Sequence, residues 1–121
     1  MNEPQLTKQQ LWKKLMALNG ATISSLTGRS SHTIAAVDQS RQQYIVAYNS
    51  GNERTVKLDE LYALYLTLCR SGSLINTNME RDCKQILGWK HWHAPGSAMF
   101  AVLPRLDKQI RSEGGNLYVS R

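Results

Sequence analysis

Hydrophobic and polar residues repeat with two different periods along this chain, and the first stretch has the helical one. Leu11, Leu15 and Leu18 recur every three or four residues, which gives one apolar helix face. Thr7 and Gln10 have the spacing of a capping box, in which each residue bonds a free backbone amide of the first turn. The sequence therefore predicts an N-terminal helix that begins after Thr7.

The pattern changes to short alternating runs between this helix and residue 57. Tyr44, Val46 and Tyr48 alternate with other residues, and segments of turn composition separate the runs. Strands are predicted near Thr22–Thr27 and at Thr33–Asp38, Gln42–Tyr48 and Arg54–Lys57. Together they predict a small antiparallel sheet of three or four strands.

Helical spacing returns after residue 58. A helix over Glu60–Arg70, capped by Asp59, is apolar on almost every side, and we expect it to be the most buried helix. A third helix is predicted from Thr77 to Gly88. A fourth is predicted from Ser97 to Arg111, although Pro104 should kink or divide it, and a terminal strand over Asn116–Ser120.

Length and composition suit one domain of the α+β class. The 121 residues are 41% hydrophobic and carry 15 Lys and Arg against nine Asp and Glu, a net charge of +6. We divide the domain into residues 1–57, a helix with an antiparallel sheet, and residues 58–121, a three-helix half with a terminal strand. A basic balance favours an anionic partner. No signal peptide or membrane span is predicted, and two cysteines suggest reduced thiols in the cytoplasm.

Several short motifs in the second half carry a family resemblance. They are Leu58-Asp59-Glu60-Leu61, Gly72-Ser73-Leu74-Ile75-Asn76, the stretch 102–108 (VLPRLDK) and Gly115-Asn116-Leu117-Tyr118-Val119. With the order of predicted elements, residues 54–121 resemble the winged helix-turn-helix effector domains of response-regulator transcription factors. The resemblance implies a winged-helix-like second half, DNA binding, and a recognition helix that runs into a wing near the C-terminus.

The basic residues of the fourth predicted helix are the first candidate contacts. Arg105, Lys108 and Arg111 are spaced to share one broad helix face, and Gln109 is adjacent. In a helix-turn-helix such a face enters the major groove, where Arg and Gln contact base edges. The alternative is the ordinary solvated face of an amphipathic helix, with Lys and Arg favoured near its C-terminus.

Two further basic residues extend this candidate surface. Arg29 lies among glycine and serine residues in a turn that could hold a phosphate, although hairpin tips are polar in any case. Lys90 is the second, and it lies within an aromatic segment. We expect both to contact nucleic acid.

The aromatic segment is the most unusual stretch of the chain. Trp89, His91, Trp92 and His93 could form a macromolecular contact, or the tryptophans could close the edge of the core.

No catalytic residue, cofactor or metal site is predicted, although a scattered active site stays open. The leading hypothesis is a regulatory DNA-binding module that could form a homodimer. The alternative is a small interaction or inhibitor domain, of phage or mobile-element type, that binds an acidic protein.

Overall fold

Local sequence signals account for most of the element boundaries in the computed structural model, which describes residues 4–91 and 95–119. Within these ranges the chain is mixed α+β, as predicted, with four α-helices and two antiparallel sheets. The elements are, in order, α1 (Lys8–Met16), β1 (Thr22–Ser24), β2 (Ser31–Asp38), β3 (Gln43–Tyr48), β4 (Glu53–Lys57), α2 (Leu58–Ser71), β5 (Ser73–Leu74), a 3-10 turn (Asn76–Asn78), α3 (Met79–Leu87), α4 (Pro95–Leu106), β6 (Ile110–Glu113) and β7 (Asn116–Val119).

Helix α1 begins at the predicted capping box. The Gln10 amide donates to Thr7 Oγ1 at 3.2 Å, and the Thr7 amide donates to Gln10 Oε1 at 2.8 Å. Leu11, Trp12 and Leu15 are buried on the inner face of the helix. The packing of these side chains joins α1 to the core.

Strands β1 to β4 form a four-stranded antiparallel sheet in sequence order. The predicted alternation holds, because Tyr44 and Val46 of β3 are buried while Ile45 and Ala47 are only half-buried. A bulge between Ile34 and Ala36 of β2 shifts the register with β3. The sheet thus has one face on the core and leaves β1 and β4 as its two edges.

Helix α2 follows β4 directly and lies against the sheet. Its N-cap is Lys57 rather than the predicted Asp59, because the Glu60 carboxylate reaches back to accept from the Lys57 amide at 3.1 Å. The helix ends where Gly72 takes a left-handed conformation, with φ of 89°. Helix α3 begins at Met79, after the 3-10 turn, and not at Thr77. Its last residue is Leu87, and the predicted end at Gly88 is its C-cap.

The C-terminal strands form a second, three-stranded sheet in the order β5–β7–β6. The predicted terminal strand is β7, whereas the first two residues of β6 fall within the predicted fourth helix, whose apolar spacing continues to Ile110. Gly114 and Gly115 make the turn between β6 and β7, both with positive φ. A side chain at Gly115 would come within 3.3 Å of Asn76, so this turn packs closely on the 3-10 turn.

Helix α4, and not α2, is the most buried helix. Nine of its 12 residues are buried, against six of 14 in α2. It contains Pro104 and ends two residues later at Leu106, so the predicted helix over Ser97–Arg111 is wrong at its C-terminal end. Among the described residues no helix has the length and apolar character that crossing a membrane requires.

Candidate nucleic-acid interface

A buried carboxylate fixes the turn that follows α4. Asp107, 7% exposed, accepts a hydrogen bond from the Tyr65 hydroxyl at 2.8 Å and another from the Gln109 amide at 2.9 Å. The Tyr65 oxygen in turn accepts from the amides of Gln5 and Leu6. Burial and the hydrogen bond to Asp107 raise the pKa of Tyr65 well above its ordinary value. This network ties the N-terminal segment, α2 and the turn together.

The three basic candidates do not share one helix face, because the chain turns after α4. The predicted arrangement on a single helix is therefore wrong. Arg105 is exposed in the last turn of α4, Lys108 is exposed in the turn itself, and Arg111 is exposed on β6. Gln109 follows Lys108 in the turn and is also exposed. The four residues therefore lie within one short stretch of surface but on three different elements.

Arg111 has neighbours on its own hairpin. Its guanidinium lies 3.0 Å from Glu113 Oε2 and 5.2 Å from the centre of the Tyr118 ring, which is its register partner on β7. The ring face attracts the cation, and the carboxylate neutralises part of its charge. Arg111 is therefore the most constrained of the basic candidates.

Arg29 lies in the loop between β1 and β2, whose base is near Arg105. The loop is closed by hydrogen bonds from the Ser25 amide to the Ser30 carbonyl at 2.8 Å and from the Ser30 amide to Ser25 Oγ at 3.2 Å. Arg29 is exposed near its tip. The base of the loop lies across a groove from Arg105, so two separate parts of the sequence meet here.

The groove has a volume of about 220 Å³. One wall is β1 with the start of its loop, and the other is the C-terminal end of α4 with one residue of β6. The lining residues are Thr22, Ile23, Ser24, Ser25, Leu26, Ala101, Pro104, Arg105 and Ser112. Sequence reasoning missed the hydroxyl residues among them, although the serine- and threonine-rich stretch 22–27 was a visible signal.

The aromatic segment lies elsewhere. Trp89 is half-buried against the core, and its indole N–H donates to Glu60 Oε2 at 3.1 Å. It lines a second pocket together with Arg54, Thr55, Glu60 and Pro95, at the first residue of α4. Lys90 and His91 follow and are exposed. Lys90 is therefore separated from Arg105 by most of the length of α4, and the predicted common surface does not include it.

Trp92 and His93 lie outside the described residues, so their predicted role in a partner contact stays a prediction. Helix α4 begins soon after them, at Pro95. Trp89, by contrast, is engaged with the core and with α2. The structure therefore gives Trp89 a packing role whatever its neighbours contact.

The buried reactive groups of the described chain do not form a reactive site. Burial raises the pKa of Cys83 to about 12 and also raises that of Cys69, so neither thiol is a ready nucleophile. His32 is buried beside the Tyr48 ring, and burial lowers its pKa. In residues 4–91 and 95–119 no group of three or more His, Cys, Asp or Glu residues is placed to hold a metal ion.

Comparison with known proteins adds no information on the function of these residues. No protein-family model, curated protein or solved structure matches the chain. The surface that combines exposed positive charge with a groove is formed by α4, the turn after it, β6 and the β1–β2 loop. We call it the basic end, and define it by Arg29, Arg105, Lys108 and Arg111.

Proposed function

We propose that the protein is a DNA-binding module of winged-helix type, which contacts the sugar–phosphate backbone through the basic end. The observation that carries the proposal is the groove beside exposed Arg105, whose opposite wall includes the base of the loop that carries exposed Arg29. Exposed Lys108 lies in the turn that follows α4. None of the three has a carboxylate partner within the described residues. Unpaired Lys and Arg on one surface are the usual electrostatic footprint of nucleic-acid binding.

The order of elements supports the winged-helix part of the proposal. Helix α2 is followed by the short strand β5, then by α3, α4 and the β6–β7 hairpin. Strand β5 pairs with β7, which also pairs with β6. A helix, a short strand, two helices and a hairpin that pairs back to the short strand make the pattern of that class. On this proposal the β6–β7 hairpin is the wing.

The burial of α4 changes how such a module would contact DNA. A helix that reads bases presents a polar face to the major groove. In α4 only Ser97 and Arg105 are exposed, and the helix is otherwise covered except for half-buried Pro104. We therefore propose phosphate contacts from the end of α4, the following turn and the β1–β2 loop, in place of insertion of the helix along its length.

Binding of this kind is governed by counterion release, which makes the salt dependence the direct test. Each phosphate neutralised contributes about −0.9 to the slope of log affinity against log salt. Contacts from Arg29, Arg105 and Lys108 predict a slope of roughly −3 for duplex DNA of any sequence. The measurement is fluorescence anisotropy with a labelled duplex at several salt concentrations. No binding at about 50 mM salt, or a slope near zero, would reject the proposal and favour an acidic protein partner.

A further inference from the structure

We propose that the groove between β1 and the end of α4 is a binding site for a phosphate group, and that Arg105 supplies its charge. If the phosphate belongs to a DNA backbone, this inference rests on the proposed function. It goes further by naming one pocket and one set of donors. The free edge of β1, the Arg105 guanidinium and the size of the groove support this site.

Strand β1 turns unused backbone donors toward the groove. The register pairs Thr22 with Thr33 and Ser24 with Ser31. The flanking bonds, Ser25 amide to Ser30 carbonyl and Ile34 amide to Ala21 carbonyl, belong to the alternate positions. In an antiparallel pair these positions alternate, so the amides of Thr22 and Ser24 point away from β2. The groove is lined by β1 and by no residue of β2, so we place it on the side of β1 to which these amides point.

Arg105 completes the donor set from the opposite wall. It is exposed in the last turn of α4, and within the described residues it has no ion pair or hydrogen bond. Ser24 and Ser112 add hydroxyl groups that have no partner in the same part of the chain. No carboxylate lines the groove. A guanidinium facing backbone amides and hydroxyls is the donor combination that binds phosphate oxygens well.

The size of the groove suits a small group. At about 220 Å³ it is smaller than the roughly 300–1,000 Å³ of pockets that enclose whole drug-sized ligands. A single phosphate group fits that limit. The remainder of a nucleic acid would then run outside the groove, over the basic end.

The first experiment follows the edge amides by NMR with ¹⁵N-labelled full-length protein. Inorganic phosphate, titrated against sodium chloride at equal ionic strength, should shift the amide signals of Thr22 and Ser24. Arg105→Gln should remove those shifts. If phosphate and chloride act alike on these two signals in the wild-type protein, the groove is not a phosphate site.

The second experiment measures duplex binding by anisotropy and separates the groove from charge in general. Arg105→Gln should weaken binding about tenfold, because it removes a charge-assisted contact. Arg54→Gln is the matched control, since it makes the same charge change on exposed Arg54, at the other end of α4. It should change affinity less than about twofold at 0.1 M salt, where the Debye length is about 10 Å. Arg105→Lys keeps the charge and should still bind less tightly than wild type, because it loses the guanidinium fork.

The outcomes distinguish the groove from the function. If the duplex binds but Arg105→Gln and Arg54→Gln weaken it equally, the groove inference fails and the DNA-binding proposal stands. If inorganic phosphate shifts the Thr22 and Ser24 amides but no duplex binds, the groove is a phosphate site and the DNA-binding proposal fails. Tight duplex binding together with selective loss in Arg105→Gln supports both.

Discussion

At the scale of single residues, the basic end depends on one buried side chain that carries no basic charge. Asp107 sets the turn after α4 by accepting bonds from Tyr65 and from the Gln109 amide. The helix ends where these bonds are made, before Lys108. They direct Lys108 and Gln109 to solvent and allow β6 to begin at Ile110.

Removal of this carboxylate should therefore destabilise the fold. Asp107→Ala leaves the buried Tyr65 hydroxyl without its acceptor, and we expect a loss of about 1–3 kcal/mol in the free energy of unfolding. The measurement is urea denaturation followed by circular dichroism. Asp59→Ala is the control, because Asp59 is exposed and its ion pair with Lys8 contributes less than about 1 kcal/mol. Equal losses in the two variants would show that the Asp107 network does not hold the turn.

His32 makes a second prediction, for the pH dependence of stability. Burial lowers its pKa below the ordinary value of 6.5 in the folded state. As the pH falls through that value, the unfolded chain gains a proton that the folded chain does not. The free energy of unfolding should therefore decrease below pH 6.5, and it should be at its full value above it.

Denaturation at about pH 7.5 and about pH 5.5 checks this, since the interval spans the ordinary titration of histidine. His32→Gln should reduce the difference between the two conditions. His91→Gln should leave it unchanged, because His91 is exposed. A wild-type protein equally stable at both values would contradict the assignment of a buried neutral His32.

At the scale of elements, the strands of the first sheet were predictable because their alternation is local. Tyr44, Val46 and Val56 follow the two-residue period of a sheet with one buried face, and the structure buries all three. The capping box of α1 is also local, since Thr7 and Gln10 are three residues apart. Such signals need no knowledge of distant contacts.

The end of α4 was not predictable in the same way. Leu103, Leu106 and Ile110 keep helical spacing across the turn, so periodicity alone extends the helix to Arg111. Where it ends, Asp107 accepts a local hydrogen bond from the Gln109 amide and a second one from Tyr65, which is 42 positions away. The groove depends in the same way on bringing residues 22–26 to Arg105. The burial of α4, in contrast, was visible in the unbroken apolar run Ala98–Leu103.

The central position of α4 makes a prediction about packing. Phe100 is fully buried, and Phe100→Ala should lower the free energy of unfolding by about 3–5 kcal/mol. Leu66→Ala, on the half-buried side of α2, should lower it by less than half as much, because Leu66 retains contact with water. Thermal and urea denaturation of both variants provide the comparison. A larger loss for Leu66→Ala would return the centre of the core to α2.

At the scale of the whole molecule, the excess of positive charge is not spread evenly. Five basic residues have carboxylate partners, among them Lys8, Lys84 and Arg111. Arg29, Arg105 and Lys108 have none in the described chain. Arg105 lines the groove, Lys108 lies in the turn after α4, and Arg29 belongs to the loop whose base lines the opposite wall. Under the proposed function, DNA binding therefore depends on the position of these charges and not on the net charge of +6.

Two charge-matched triple variants test that claim most directly. Arg29→Gln, Arg105→Gln and Lys108→Gln together remove three charges from the basic end. Lys13→Gln, Lys14→Gln and Arg54→Gln remove three exposed charges elsewhere, so each protein falls from +6 to +3. Anisotropy with a duplex at several salt concentrations should show that the first variant has lost binding or binds weakly with a slope near zero, whereas the second keeps a slope close to the wild-type value of roughly −3. Slopes that fall equally in both variants, or in neither, would contradict the account.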